Sequence, residues 1–437
     1  MKCASIVLSL ALVAVSTAGG ATPLATPAPV TSVNEIAEGY VKLVLAMGQH
    51  DPDYVDAYYG PPKWKKQSEE KKPLDVMAHE ATRLREQFGK ISAPADEMQQ
   101  LRSRYLTKQM SALEARVRML KGEHLKFDEE SQALYDAVAP TFPDAHFQEI
   151  LARLEPKLPG KGSLLQRYEN WRRAFVIPKD KLDAVFQLAI KACRERTLAH
   201  IKLPPDENFS VEYVTNKPWG GYNWYKGNYR SVIQVNTDLP IYIDRAIDLA
   251  AHEGYPGHHV YNALLEKNLV RDRGWVEFSV YALFSPQSLI AEGTANFGRE
   301  VVFTKLERLA FEKEVLWPAA GIDPSRVAEF YEVQDLVKKL GYATNEAARR
   351  YLSGDINAAA AAAWLQKYAL MDEKRAKQAT KFIEKYRSYV INYNLGEDMV
   401  RSYIEKRGGT ENQPEQRWRA FEELLASPRL PGDIRSD

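Results

Sequence analysis

Sulfur chemistry is nearly absent from this chain, whose 437 residues include only two cysteines, Cys3 and Cys193. Cys3 stands ahead of an apolar run from Ala4 to Val15, which reads with Lys2 and the small residues that follow as an export signal over residues 1–21. Cleavage after Ala18 or Ala21 leaves Cys193 alone, which excludes an internal disulfide and requires a self-sufficient core. A lipoprotein signal would place a cysteine just after the small residues, and none stands there. The run is too short to remain as a stable membrane anchor, although a retained N-terminal anchor helix is the competing reading. The expected location is therefore the bacterial periplasm or the medium.

An excess of either charge is also missing. Lys and Arg number 59 against 58 Asp and Glu, so there is no basic field to hold nucleic acid and no acidic surplus of the kind seen in disordered chains. The 45% apolar content suffices for a large core. After a linker over residues 22–31, residues 32–437 read as one helical domain, with room for two lobes around a cleft. No internal repeat interrupts it.

Histidine is scarce too, at eight residues, yet three of them fall in the segment His252-Glu253-Gly254-Tyr255-Pro256-Gly257-His258-His259. Residues 246–251 before it read as an apolar helix running into the motif. His-Glu followed by further histidines is the pattern of zinc-peptidase helices, in which imidazoles hold the metal and the glutamate serves as general base. The spacing differs from the usual four residues. His258 is six residues on, about 600° around an ideal helix and on another face. His259 is seven on, near the same face but roughly 10 Å along the axis. A regular helix cannot bring either to a metal with His252. Pro256 and Gly257 supply the distortion, since proline interrupts the hydrogen-bond ladder and glycine accepts unusual backbone angles. His258 is the preferred second ligand, with His259 beside it as the alternative. The competing reading is a pair of surface histidines after a kink, with Glu253 solvated.

A second feature lies downstream. Residues 289–300, LIAEGTANFGRE, read as a helix whose alanines and glycines permit close packing, and Glu292 on it completes a three-ligand set that leaves a position open. Taken alone, Glu292 also suits an ordinary helix surface. Glu253 then fits the base that takes a proton from water and delivers it to the leaving amine.

HEGYPGHH, with VNTDLP at 235–240 before it and AEGTANFGRE after it, resembles the bacterial family known as domain of unknown function 885, whose hallmark is HExxPGHH. The similarity spans most of the mature chain and is strongest from about Trp219 to Leu395. It implies a largely helical gluzincin-like metallopeptidase holding Zn2+ through His252, His258 and Glu292, with Glu253 as base. One difference stands out: the family commonly has Gly-Trp-Ala after the ligand glutamate, whereas this chain has Gly293-Thr294-Ala295-Asn296. That difference bears on substrate preference more than on chemistry.

Helical spacing recurs over residues 33–48, 98–120, 164–175, 181–200 and 358–371, the last capped by Asn357 or Asp355. Residues 51–64, DPDYVDAYYGPPKW, read as an aromatic, proline-punctuated loop whose tyrosines line a cleft or simply pack. Strand character is confined to Phe209-Val211-Tyr213 and to residues 222–236, where Lys226-Gly227-Asn228 marks a hairpin. The fold class is thus mainly α, with a small antiparallel sheet before the metal helix. An exposed edge of that sheet could take an extended peptide as an added strand, or the hairpin could be purely structural.

Residues 385–396, KYRSYVINYNLG, bring tyrosines and an arginine together. Tyr393 is the first choice for an oxyanion donor, a contribution worth about 3 kcal/mol, and Arg387 is the choice for anchoring a substrate carboxylate. The same spacing also suits a tyrosine stripe packed in a helix core. The leading expectation is a zinc peptidase for short peptides. Its rivals are a metal hydrolase of other amides or esters, and a noncatalytic periplasmic metal- or peptide-binding protein. Glu253 weighs against the last, because a structural site is usually closed by protein ligands and needs no base.

Overall fold

The computed structural model describes residues 32–91, 94 and 96–435; the expected export signal and the whole of the linker lie outside the described residues. Helices dominate, and they begin where local chemistry allows. Val33–Met47 starts at Ser32, whose hydroxyl accepts the Glu35 amide while the Glu35 carboxylate accepts the Ser32 amide, a reciprocal cap. Its buried side is Ile36, Tyr40, Val41 and Val44, recurring at helical spacing. Glu97–Leu120 is capped by Asp96 and buries Leu101, Tyr105, Leu113 and Val117. Of the two caps expected for the alanine run, Asn357 is the one used, accepting the Ala360 amide at the start of Ala358–Tyr368.

Five strands occur among the described residues: β1 (Val55–Tyr58), β2 (Asn208–Val214), β3 (Gly221–Gly227), β4 (Arg230–Asn236) and β5 (Val280–Ala282). β3 and β4 form the expected antiparallel hairpin, but it turns at Asn228-Tyr229, one step beyond the expected centre. Both residues have left-handed φ, 52° and 60°, which suits a two-residue turn matched to strand twist. β2 pairs with β4 in parallel, giving the order β2-β4-β3. The sheet is therefore mixed: β4 returns between the two earlier strands and leaves β3 at the edge. β1, expected as loop, pairs with β5 from far along the chain.

The main core runs through most of the molecule, from the 33–47 helix to Leu424 and Leu425. A smaller core packs Phe147, Leu154 and Tyr168 against Val333, Leu336 and Tyr368. Helices Pro286–Val302 and Ile391–Lys406 cross with their backbones nearly touching. A Cβ on Gly293 would lie 2.4 Å from the Gly396 carbonyl oxygen, and one on Gly396 would lie 2.7 Å from that of Leu289. That crossing brings the segment around Glu292 against the tyrosine-rich segment.

Candidate metal centre

The histidine motif is built on an interrupted helix. Regular turns over Asp244–Leu249 widen to a π-helical stretch at Ala250–Gly254, the Tyr255-Pro256 peptide is cis, and a new helix starts at His258–Leu265. The Gly257 amide donates to the Ala251 carbonyl at 2.9 Å. A Cβ at Gly257 would fall 1.9 Å from the His252 carbonyl oxygen, so only glycine fits where the chain folds back on itself. The expected bend at Pro256-Gly257 is present, with the wide turn just before it.

This path turns His252 and His258 toward each other, with their Nε2 atoms 3.1 Å apart. Glu292 Oε2, from the 286–302 helix, is 3.3 Å from Nε2 of His252 and 3.7 Å from Nε2 of His258. The ligand atoms of the three side chains lie within 4.8 Å of one another, a group able to hold a metal ion. The donor chemistry fits a divalent metal such as zinc, which accepts imidazole nitrogen and carboxylate oxygen. Glu292 Oε2 is buried and accepts no hydrogen bond from the described residues. Its partner Oε1 accepts from the Tyr389 hydroxyl at 2.7 Å, which fixes the carboxylate with Oε2 facing the imidazoles.

Tautomer follows from partners. Asn296 Nδ2 donates to the Tyr393 carbonyl, so its Oδ1 faces Nδ1 of His252 at 3.0 Å and must accept. His252 therefore carries its proton on Nδ1 and offers the Nε2 lone pair to the cluster. Burial opposes a charge on His258, but Glu292, Glu253 and Asp56 outweigh it and push the imidazole up to about 9. Burial likewise opposes ionisation of Glu292, and the two histidines more than reverse it, holding the carboxyl well below its usual range. The centre is thus arranged around positive charge.

His259 points elsewhere. It is fully buried, with Nδ1 2.9 Å from the Ser231 hydroxyl and Nε2 3.0 Å from Glu207 Oε2. Glu207 also accepts from Tyr255 at 2.6 Å and from Arg194 at 2.6 Å. Burial resists its ionisation, yet His259, Tyr255 and Arg194 together hold its carboxyl below the usual range. His259 thus clamps the motif to the sheet.

The cluster opens into a cleft of about 650 Å³. Glu253 lines it, one residue after His252, with its own carbonyl accepting from Asn223 at 2.7 Å. β3 presses on this carboxylate: a Cβ on Gly221 would lie 2.8 Å from Glu253 Oε1. Tyr393 also lines the cleft, and its hydroxyl has no hydrogen-bond partner among the described residues, leaving it free to donate. Arg387 does not line the cleft and corrects the expectation of a carboxylate anchor. Its Nε donates to the buried Glu130 at 2.6 Å, and the same glutamate takes the Ser388 amide and hydroxyl.

Three participants escaped sequence reasoning. Asn296 sits in the Gly-Thr-Ala-Asn stretch noted as unusual, and it stands behind His252. Tyr389 lay within the tyrosine-rich segment but was passed over for Tyr393. Asp56 comes from β1, in the segment expected as loop; it lines the cleft and accepts from the Tyr222 hydroxyl. Burial pushes its carboxyl up to about 6, against the pull of Tyr222 and His258.

No protein-family model and no curated protein matches this chain. Among solved structures, a presumed lipoprotein of Colwellia psychrerythraea is similar at TM-score 0.52 with 13% identity, covering 93% of this chain and 75% of that one. A presumed lipoprotein of unknown function from Shewanella oneidensis gives TM-score 0.42 at 12% identity, over 80% of this chain and 72% of that one. Metallocarboxypeptidase 1 of Trypanosoma cruzi gives TM-score 0.40 at 12% identity, over 90% of each chain. The first likeness concerns the fold alone. No helix among the described residues is long and apolar enough to cross a membrane.

Proposed function

We propose that this protein is a zinc-dependent peptidase that cleaves short peptides, a member of the HExxPGHH group it resembles, working in the periplasm or outside the cell. One observation carries the reading: His252, His258 and Glu292 converge at the wall of a large cleft, with the Glu253 carboxylate from the same motif beside them. Export rests on the N-terminal apolar run alone.

His252, His258 and Glu292 would hold the ion. Zinc bound there would supply Lewis acidity, polarising a carbonyl and lowering the pKa of water toward about 7. Glu253 takes a proton from the attacking water and returns it to the leaving nitrogen as the amide C–N bond breaks. Tyr393 offers its free hydroxyl to the oxygen on which negative charge develops. Asn296 keeps His252 in the tautomer that presents Nε2, and Tyr389 keeps Glu292 turned inward. The cleft accepts a few residues of extended chain, which favours peptides over folded proteins.

The test is Glu253→Gln. This variant keeps stoichiometric zinc by elemental analysis, while cleavage of an unbiased peptide library, read by mass spectrometry, falls roughly 10²–10⁴-fold. Equal cleavage by the variant and the parent would sink the assignment of Glu253.

A further inference from the structure

We propose that Asp56 forms an ammonium-binding subsite in the cleft, so that the substrate is a peptide presenting a free amine next to the bond to be cut. This rests on the peptidase reading and goes past it to the class of peptide.

Charge accounting inside the cleft leads there. The cleft's arginines are already matched: Arg172 with Glu169 at 2.7 Å, Arg299 with Glu397 at 2.9 Å, Arg375 with Asp372 at 3.5 Å and Arg245 with Asp248 at 3.7 Å. Asp56 has no cationic partner of that kind among the described residues. Among the described residues its one side-chain hydrogen bond is from the neutral Tyr222 hydroxyl. A carboxylate has about four lone-pair sites, so acceptor capacity remains after that bond is made. Asp56 also lies within electrostatic reach of His258, Glu292 and Glu253, which places it at the metal end of the cleft. Asp56, Glu253 and Glu292 against a dication leave one negative charge uncompensated. A half-buried carboxylate in that position is costly unless a cation joins it. A substrate ammonium supplies the missing charge and up to three N–H donors.

Placement adds direction. Tyr222 stands on β3 next to Gly221, whose backbone presses on Glu253, so the Tyr222–Asp56 bond ties β1 to the strand beside the general base. Farther along, Tyr59 packs edge-on against Tyr225 at 5.3 Å and closes on Gly227. Residues 56–59 therefore stand alongside the free edge of the sheet, where an extended peptide would otherwise continue. A chain entering the cleft meets Asp56 at a place suited to its end. The ammonium is an α-amino terminus or a lysine side chain, and the experiment separates these sources.

The zinc-loaded protein is given four forms of one unbiased peptide library: free amino termini, acetylated amino termini, and a lysine-free version of each. Capture of the α-amine predicts cuts close to the free terminus, with acetylation lowering kcat/KM at least about 30-fold, mainly through KM. Capture of a side chain predicts no effect of acetylation and loss of cleavage in the lysine-free sets; either pattern supports the subsite. Asp56→Asn keeps an acceptor for Tyr222, and it should lose the preference: the ratio of kcat/KM for amine-bearing over amine-blocked or lysine-free peptides should fall toward one. If that variant does not fold, the acetylation and lysine comparisons on the parent still decide. Equal cleavage of all sets by the parent overturns the ammonium subsite and leaves the peptidase reading standing. No cleavage of any set by the parent overturns both.

Discussion

His258 and His259 are adjacent in sequence, and the two imidazoles serve different ends. His258 faces His252 and Glu292, whereas His259 is locked between Ser231 and Glu207. His258→Ala should therefore lose most bound zinc at little cost in folding. His259→Ala should keep near-stoichiometric zinc in the folded protein but lose about 2–4 kcal/mol of stability, because buried Glu207 is stripped of a partner. Elemental analysis beside urea denaturation checks both, and the reverse order of zinc loss would move the ligand to His259. Arg387→Ala makes a parallel case: it should cost roughly 3 kcal/mol by leaving Glu130 unpaired, while peptide KM stays within about twofold, the error of such comparisons. The ligand candidates were legible because His-Glu and two later histidines crowd one segment, and helix geometry forced a bend between them. Arg387 was misjudged for a physical reason: sequence shows its neighbours, not Glu130, which reaches it from 257 positions away. Asp56 was missed likewise, since nothing local distinguishes it from the other acids of its segment.

At the scale of elements, what could be read was whatever is decided locally. The 33–47, 97–120 and 358–368 helices follow from apolar spacing and from the caps Ser32, Asp96 and Asn357. β1 was read as loop because its strand character depends on β5, more than two hundred residues later. The parallel placement of β2 beside β4 was equally invisible, since period-two alternation gives a buried face but not a neighbour. The crossing of the 286–302 and 391–406 helices was foreshadowed by small residues around Glu292. Gly293→Ala should be destabilising by ~1–3 kcal/mol, as an added methyl must push backbone away from backbone. It should also weaken zinc binding, because the separation of these helices sets where Tyr389 holds Glu292. Chelator competition and thermal denaturation on one preparation test the pair of effects together.

Across the whole molecule the centre couples metal, protons and stability. Burial disfavours charged His258, but Glu292, Glu253 and Asp56 lift it from 6.5 to about 9, so in metal-free protein the cationic form is the stabilising one. That contribution is fully present below pH 6.5, the unfolded value, and is lost as pH rises through about 9. Zinc needs the neutral imidazole, so its affinity should rise with pH over the same window, by up to about tenfold per unit for one displaced proton. The difference in Tm between zinc-loaded and metal-free protein should therefore widen from pH 6.5 to 8.5; a constant or shrinking gap would contradict the arrangement. The Gly293–Gly396 crossing has a consequence on a longer timescale, in lineages. A side chain gained at either glycine strikes main chain of the opposite helix, and the partner position has no side chain to surrender in exchange. Neither site offers a compensating second step, so drift at one cannot be rescued at the other. Descendants that keep Glu292 beside the histidines through this same crossing are held to both glycines together, however freely the rest of the two helices diverges.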